Sequence, residues 1–226
     1  MKIANNILKL CLQNVYFING TAYAGKSTMV RLLAERHDMI QCGENYHTRL
    51  SDLAATPELQ PNMCYFRTMR DWQEFISRTP EVYARWIDDC SVEASECEIA
   101  ELLRLSAFGK KIIVDTNISV ENLREISDYS RVAIMLSPQS LSVDRFYDRE
   151  DADKQFLLEQ IRAAPDPEWA MANSLACLAE INSPERFAHF QSSGFFTLFR
   201  EDDGRDTIEE VLARLERHFG LAPYAG

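Results

Sequence analysis

Residues 20–27 read Gly20-Thr21-Ala22-Tyr23-Ala24-Gly25-Lys26-Ser27, followed by Thr28, and fit the pattern G-x-x-x-x-G-K-[ST]. Glycines allow a tight turn in which successive backbone N–H groups point at phosphate oxygens. A helix that starts where the loop ends adds partial positive charge. In a loop of this kind Lys26 reaches the β- and γ-phosphates and the Ser27 hydroxyl ligates Mg²⁺. The flanks agree with that reading. Residues 14–19 form a β-branched and aromatic run expected to be a buried strand. Residues 26–37 interleave Met29, Val30, Leu32, Leu33 and Ala34 with Arg31, Glu35 and Arg36, the pattern of an amphipathic helix. Strand, loop and helix in that order separate this stretch from an ordinary glycine-rich turn. Ala24 stands where many such loops carry a third glycine, which the minimal pattern does not require.

A chain of 226 residues, 46% of them hydrophobic, can bury one substantial core. A net charge of −11 and a pI near 4.9 argue against broad binding to nucleic acid or anionic membranes. Arginine supplies 18 of the 24 basic residues, which suits forked recognition of phosphate or carboxylate. Six cysteines at positions 11, 42, 64, 90, 97 and 177 contain no C-x-x-C pair and no zinc-like spacing, so reduced thiols in a cytoplasmic protein are expected. No apolar run approaches the roughly 18 residues of a membrane span, and the N-terminus lacks a cleavage site of secretory type. Residues 3–12 are expected to form a short helix. No repeat, low-complexity tract or linker divides the chain, so residues 1–226 are read as a single domain.

Residues 38–42 make a second short strand, ending in the polar cluster Gly43-Glu44-Asn45-Tyr46-His47. In an open α/β sheet the carboxyl ends of the strands surround the ligand crevice, so this cluster should face the loop. Glu44 is placed to accept a proton from a substrate hydroxyl, with Tyr46 and His47 holding the substrate. The competing reading makes Glu44 a helix cap and His47 a solvated loop residue. Residues 48–80 are broken by Thr56-Pro57, Gln60-Pro61 and Thr79-Pro80, with one amphipathic helix expected around Trp72, Phe75 and Ile76. Arg49, Arg67 and Arg70 fall in this insert, where as a set they would grip an anionic group. Individually each also reads as a solvated surface arginine.

Residues 81–108 turn helical, as one long helix or two broken near Cys90-Ser91, and Gly109 ends them. Residues 110–115 are then a strand closing on Asp115, the position from which an acid holds the Mg²⁺ water shell in phosphate-loop proteins. A helix over 119–129 and a buried strand over 131–136 come next. Arg145 and Arg149 are four apart and would share a helix face. Two guanidinium groups aimed at one point suit the charge of a transferring phosphoryl group, while salt bridges to Asp144, Asp148 and Asp153 are the alternative. Helices over 153–163 and 167–180, a strand over 194–199 and a closing amphipathic helix over 207–219 complete the chain.

Over roughly residues 14–219 this succession resembles the P-loop kinases of nucleosides, nucleotides and other small molecules. Its specific parts are Gly20–Thr28, Asp115 and the Arg145/Arg149 pair. The resemblance implies a three-layer α/β/α fold around a five-stranded parallel sheet in the order 2-3-1-4-5. It also implies a helical acceptor insert over about 44–80 and an arginine lid over about 139–165. ATP and Mg²⁺ are the implied cofactors, a small-molecule acceptor the implied partner, and Glu44 the implied base or acceptor ligand. The substrate signatures of adenylate, thymidylate and shikimate kinases are missing. Two other classes stay open: an NTP-hydrolysing switch, against whose GTPase form the missing N-K-x-D pattern counts, and a non-catalytic ATP sensor. Monomer and homodimer are both compatible with the sequence.

Overall fold

The computed structural model describes residues 3–148, 152–201 and 205–221. Helix α1 (Asn5–Cys11) leads into β1 (Val15–Gly20), and the glycine loop opens directly into α2 (Lys26–His37). After β2 (Ile40–Cys42) come three short helices, α3 (Thr48–Ala54), α4 (Tyr65–Thr68) and α5 (Trp72–Ile76), and then the long α6 (Pro80–Ser106). β3 (Ile112–Asp115), α7 (Val120–Ile126), β4 (Val132–Leu136) and α8 (Gln139–Asp144) follow. The chain ends with α9 (Ala152–Arg162), α10 (Pro167–Ile181), α11 (Pro184–Gln191), β5 (Phe196–Phe199) and α12 (Ile208–His218).

The five strands pair in parallel in the order β2-β3-β1-β4-β5. β3 and β4 are buried along their whole lengths, as strands covered on both faces must be. Alternation along the strands divides the core in two. Ile18, Ile113, Ala133 and Met135 pack with Val30 and Leu33 of α2 and Leu212 and Leu215 of α12. Phe17, Ile112, Val114 and Ile134 pack on the opposite face with Leu8 of α1, Leu102 of α6, Leu123 of α7 and Phe187 of α11. The fold is therefore a three-layer α/β/α sandwich. Among the described residues no helix is long and apolar enough to cross a membrane.

A smaller third core ties the insert to the body. Phe75 and Ile76 of α5 pack with Ile161 of α9 and Ala170 of α10, bordered by Tyr65, Trp72, Tyr83 and Trp86. The Arg78 guanidinium lies 3.7 Å from the centre of the Tyr65 ring and 5.1 Å from that of Trp86. Among the described residues its buried Nη1 meets no hydrogen-bond partner, and the ring faces take the charge instead. Besides the expected helix around Trp72 the insert carries two more; α4 and α5 are held by these ring contacts, and α3 lies against α6. α6 stays unbroken for 27 residues, capped by Thr79 with Pro80 in its first turn. At the expected break, Ser91 Oγ donates back to the Ile87 carbonyl at 2.8 Å and the helix continues. Helix α11 is an addition to the elements expected from sequence, although Ser183 caps it and Pro184 follows in the favoured first position.

β1 and β4 are in register with Gly20 opposite Met135. A Cβ added at Gly20 would stand 1.9 Å from the Met135 carbonyl oxygen, and the residue has φ 129°. Gly20→Ala therefore forces backbone apart at the centre of the sheet. We expect a loss of about 2 kcal/mol or more, from strain and overpacking together, read as a lower urea midpoint.

Candidate active site

The loop between β1 and α2 is tied down by backbone geometry and by β4. Gly20, Tyr23 and Gly25 all have positive φ, at 129°, 64° and 87°. For Tyr23 this is an unfavourable conformation held by its neighbours. Arg200, just past β5, donates to the Tyr23 carbonyl at 2.9 Å, and the Tyr23 hydroxyl donates to the Arg145 carbonyl at 2.6 Å. Ser137, at the end of β4, donates from its backbone N–H to Thr21 Oγ1 at 2.9 Å and from its hydroxyl to the Ala22 carbonyl at 2.6 Å. Lys26 curls back to the Thr21 carbonyl at 3.0 Å. α2 starts at Gly25 with no capping side chain, so no side-chain oxygen from the N-cap meets its first-turn N–H groups. A helix start left in this condition beside a lysine is fitted to hold an anion.

Ser27 Oγ donates to Asp115 Oδ2 at 2.9 Å, and Lys26 Nζ stands 3.9 Å from Asp115 Oδ1. Asp115 is 4% exposed at the end of β3, with Ile18 as its register partner on β1. Burial pushes its pKa up; Lys26 and the Ser27 hydrogen bond oppose that shift, and the Glu44 charge adds to it. Among the described residues no group of three or more His, Cys, Asp or Glu side chains could hold a metal by itself. One hydroxyl and one carboxylate beside an anion site suit a small hard cation that keeps waters and shares phosphate oxygens, as Mg²⁺ does. On the β5 side of the loop lies a cavity of about 270 Å³. Ala24, Gly25, Thr28, Met135, Leu198 and Arg200 are among its walls.

The other sequence-expected residues separate into two groups. Glu44 is exposed on the turn after β2, and its charge adds to the upward pKa shift of Asp115. Tyr46 instead points inward: its hydroxyl donates to Glu98 Oε2 at 3.1 Å, and burial, then Glu98, raises its pKa well above normal. His47 is 6% exposed and edge-on to Tyr46, and among the described residues its buried Nδ1 meets no hydrogen-bond partner. Burial lowers its pKa and favours the neutral ring, so it is not the solvated loop residue of the alternative reading. Arg67 and Arg70 do not converge. Arg67 Nη2 is 4.0 Å from Asp52, and Arg70 Nε donates to its neighbour Asp71 at 3.1 Å. The helix expected to carry Arg145 ends before it. α8 stops at Asp144 and a 3₁₀ turn over residues 146–148 follows, its Tyr147 hydroxyl anchored to Ser174. Arg149 lies outside the described residues.

Sequence reasoning missed the group that joins these loops. Glu98 of α6 is 1% exposed and accepts from Thr116 Oγ1 at 2.5 Å, Tyr46 at 3.1 Å and the Asn117 backbone N–H at 3.3 Å. One carboxylate thus clasps the ends of β2 and β3 together. In sequence it is one of several acids on a long helix, and only burial singles it out. Ser137 left a clearer trace, as the polar residue before Pro138 closing an apolar strand. Compared with known proteins, the chain matches no family model, no curated protein and no solved structure.

Burial is the largest influence on Glu98 and raises its pKa, its three hydrogen bonds only partly opposing this. Between the unfolded carboxylate pKa, about 4.3, and the raised folded value, the native state holds a proton the unfolded chain has lost. Stability from this source is present at low pH and falls as pH rises through that window. Urea midpoints of the wild type should therefore drop more steeply from pH 5 to 7.5 than those of Glu98→Gln; parallel curves would mean an ordinary carboxylate. Asp115 shifts in the same direction but is common to both proteins.

Proposed function

We propose that this protein is an ATP- and Mg²⁺-dependent phosphotransferase of the P-loop kinase type, moving the γ-phosphoryl group to a small-molecule acceptor. The observation that carries the reading is the Ser27–Asp115 hydrogen bond of 2.9 Å at the uncapped start of α2. It joins the loop's hydroxyl to a strand-end carboxylate, the pair that a nucleotide-bound Mg²⁺ requires.

The triphosphate is proposed to lie along Gly20–Thr28, bonded by the backbone N–H groups of the loop and by Lys26 once that side chain leaves the Thr21 carbonyl. Ser27 would ligate the metal and Asp115 would hold its waters. Mg²⁺, when bound, neutralises phosphate charge. The cavity on the β5 side has a size and a mixed apolar and polar lining suited to the nucleoside. Glu44 takes the proton of the acceptor hydroxyl as the acceptor oxygen bonds to Pγ and the bond from Pγ to the β,γ-bridging oxygen breaks, releasing ADP. Arg145, exposed at the end of α8 above the loop, stabilises the charge on the transferring group.

The test is ADP release from MgATP with and without nucleosides, nucleoside monophosphates, sugars and aminoglycosides, with Lys26→Ala as the blank. Acceptor-dependent release that Lys26→Ala abolishes supports the kinase. High release without any acceptor favours the hydrolytic switch, and tight MgATP binding with no turnover favours the sensor. Glu44→Gln should lower kcat by roughly 10²–10⁴-fold with little change in MgATP affinity. Near wild-type kcat would leave Glu44 without a catalytic role.

A further inference from the structure

On the opposite side of the loop from the nucleoside cavity, a second and larger cavity of about 510 Å³ opens between α6 and α11. Gly20, the first residue of the loop, borders it, as does Asn117, two residues beyond Asp115. The cavity therefore adjoins both the phosphate loop and the strand end that carries the metal-fitted carboxylate. Its volume lies within the range of small-molecule sites.

Its chemistry is selective. Among its described lining residues Arg186 is the one permanently charged cation, and Asp88 occupies it through two parallel hydrogen bonds of 2.7 Å each. Such a bidentate pair satisfies a carboxylate-seeking fork and leaves little for a second anion. Glu185 adds a further negative charge to the wall, and His189 is turned towards Glu121 at 3.3 Å. The remaining polar groups are uncharged. Among the described residues no partner meets the exposed Asn117 side-chain amide, which therefore has two donors and an acceptor to offer. The Ser91 hydroxyl spends its proton on the Ile87 carbonyl and keeps its acceptor lone pairs. The Phe190 ring supplies an apolar wall. Arg67 and Arg70, which would have recognised an acceptor phosphate, are directed elsewhere.

We propose that this groove binds the body of the phosphoryl acceptor, whose reacting hydroxyl extends past Asn117 towards Glu44 outside the groove, and that the acceptor is a hydroxyl-rich molecule without negative charge, of sugar or aminosugar type. The proposal rests on the phosphotransferase reading for the word acceptor. The binding site itself does not depend on it. A phosphate- or carboxylate-bearing acceptor would meet two carboxylates and a guanidinium already committed. A neutral or cationic polyol meets amide and hydroxyl groups arranged around an aromatic ring.

The experiment is ligand-observed saturation-transfer NMR on the full chain, with glucose, glucosamine and myo-inositol as one set of probes and glucose 6-phosphate and AMP as the other. Saturation transfer to a probe of the first set is expected. Ser91→Trp, which fills the groove, should abolish it, and Asn117→Ala should weaken it about 5- to 10-fold through the loss of one or two hydrogen bonds. Thermal melts by circular dichroism establish that Ser91→Trp folds, and if it does not, Asn117→Ala decides alone. Binding by the phosphate-bearing probes alone, binding by none of the probes, or a signal unchanged in the folded variants would each overturn the proposal. A parallel MgATP titration separates the two readings. Sugar binding without MgATP binding keeps the groove and removes the phosphotransferase, whereas MgATP binding with no groove signal does the reverse.

Discussion

Where β1 ends, the backbone of Gly20 passes so close to the carbonyl of Met135 that no side chain fits between them. That approach lets the loop lie against β4, where the Thr21 N–H bonds the Met135 carbonyl and Ser137 takes both Thr21 and Ala22. The loop is thus secured from the sheet side. A longer standoff would free the loop to form its own turns and would lose the concavity that suits an anion. The start of α2, the position of Ser27 and the reach of Lys26 all follow from that contact.

Glu98 does for the segments that follow β2 and β3 what Ser137 does for the loop. Burying a carboxylate is costly, and the structure meets the cost with three donors, Tyr46 from the turn after β2 and Thr116 and Asn117 from the end of β3. The clasp is local, yet it sets the spacing between the turn carrying Glu44 and the strand end carrying Asp115. Burial raises the pKa of both Glu98 and Asp115, and the Asp115 charge adds to the shift of Glu98. A site built this way favours a cation at its open end, since an added positive charge relieves acids that the protein alone only partly compensates.

The parts legible in the sequence were those governed by local rules. The glycine pattern dictates its own backbone, and α2 spans the residues that its periodicity indicated, 26–37. Strand ends followed from the switch between apolar and polar residues, which located Asp115. The order of the strands came from the resemblance and agrees with the sheet. What stayed hidden depends on distant contacts. Helices α4 and α5 pack in the ring cluster around Arg78, and α8 stops at Asp144 with the nearby Tyr147 hydroxyl bound at Ser174. Tyr46 and His47 were expected in the cleft because they stand beside Glu44. An inward turn of two residues puts them under it, a difference that no single-residue property records.

The unbroken α6 has a mechanical consequence. Trp86, in the ring cluster of the insert, and Glu98, at the clasp, lie twelve residues apart on one helix, about 18 Å along a rod with no hinge between them. Asp88 and Ser91 sit between the two on the same rod. A tilt imposed at the insert end cannot be absorbed midway and is delivered to the far end as a displacement of the Glu98 carboxylate. The insert and the strand ends are thus two ends of a single lever.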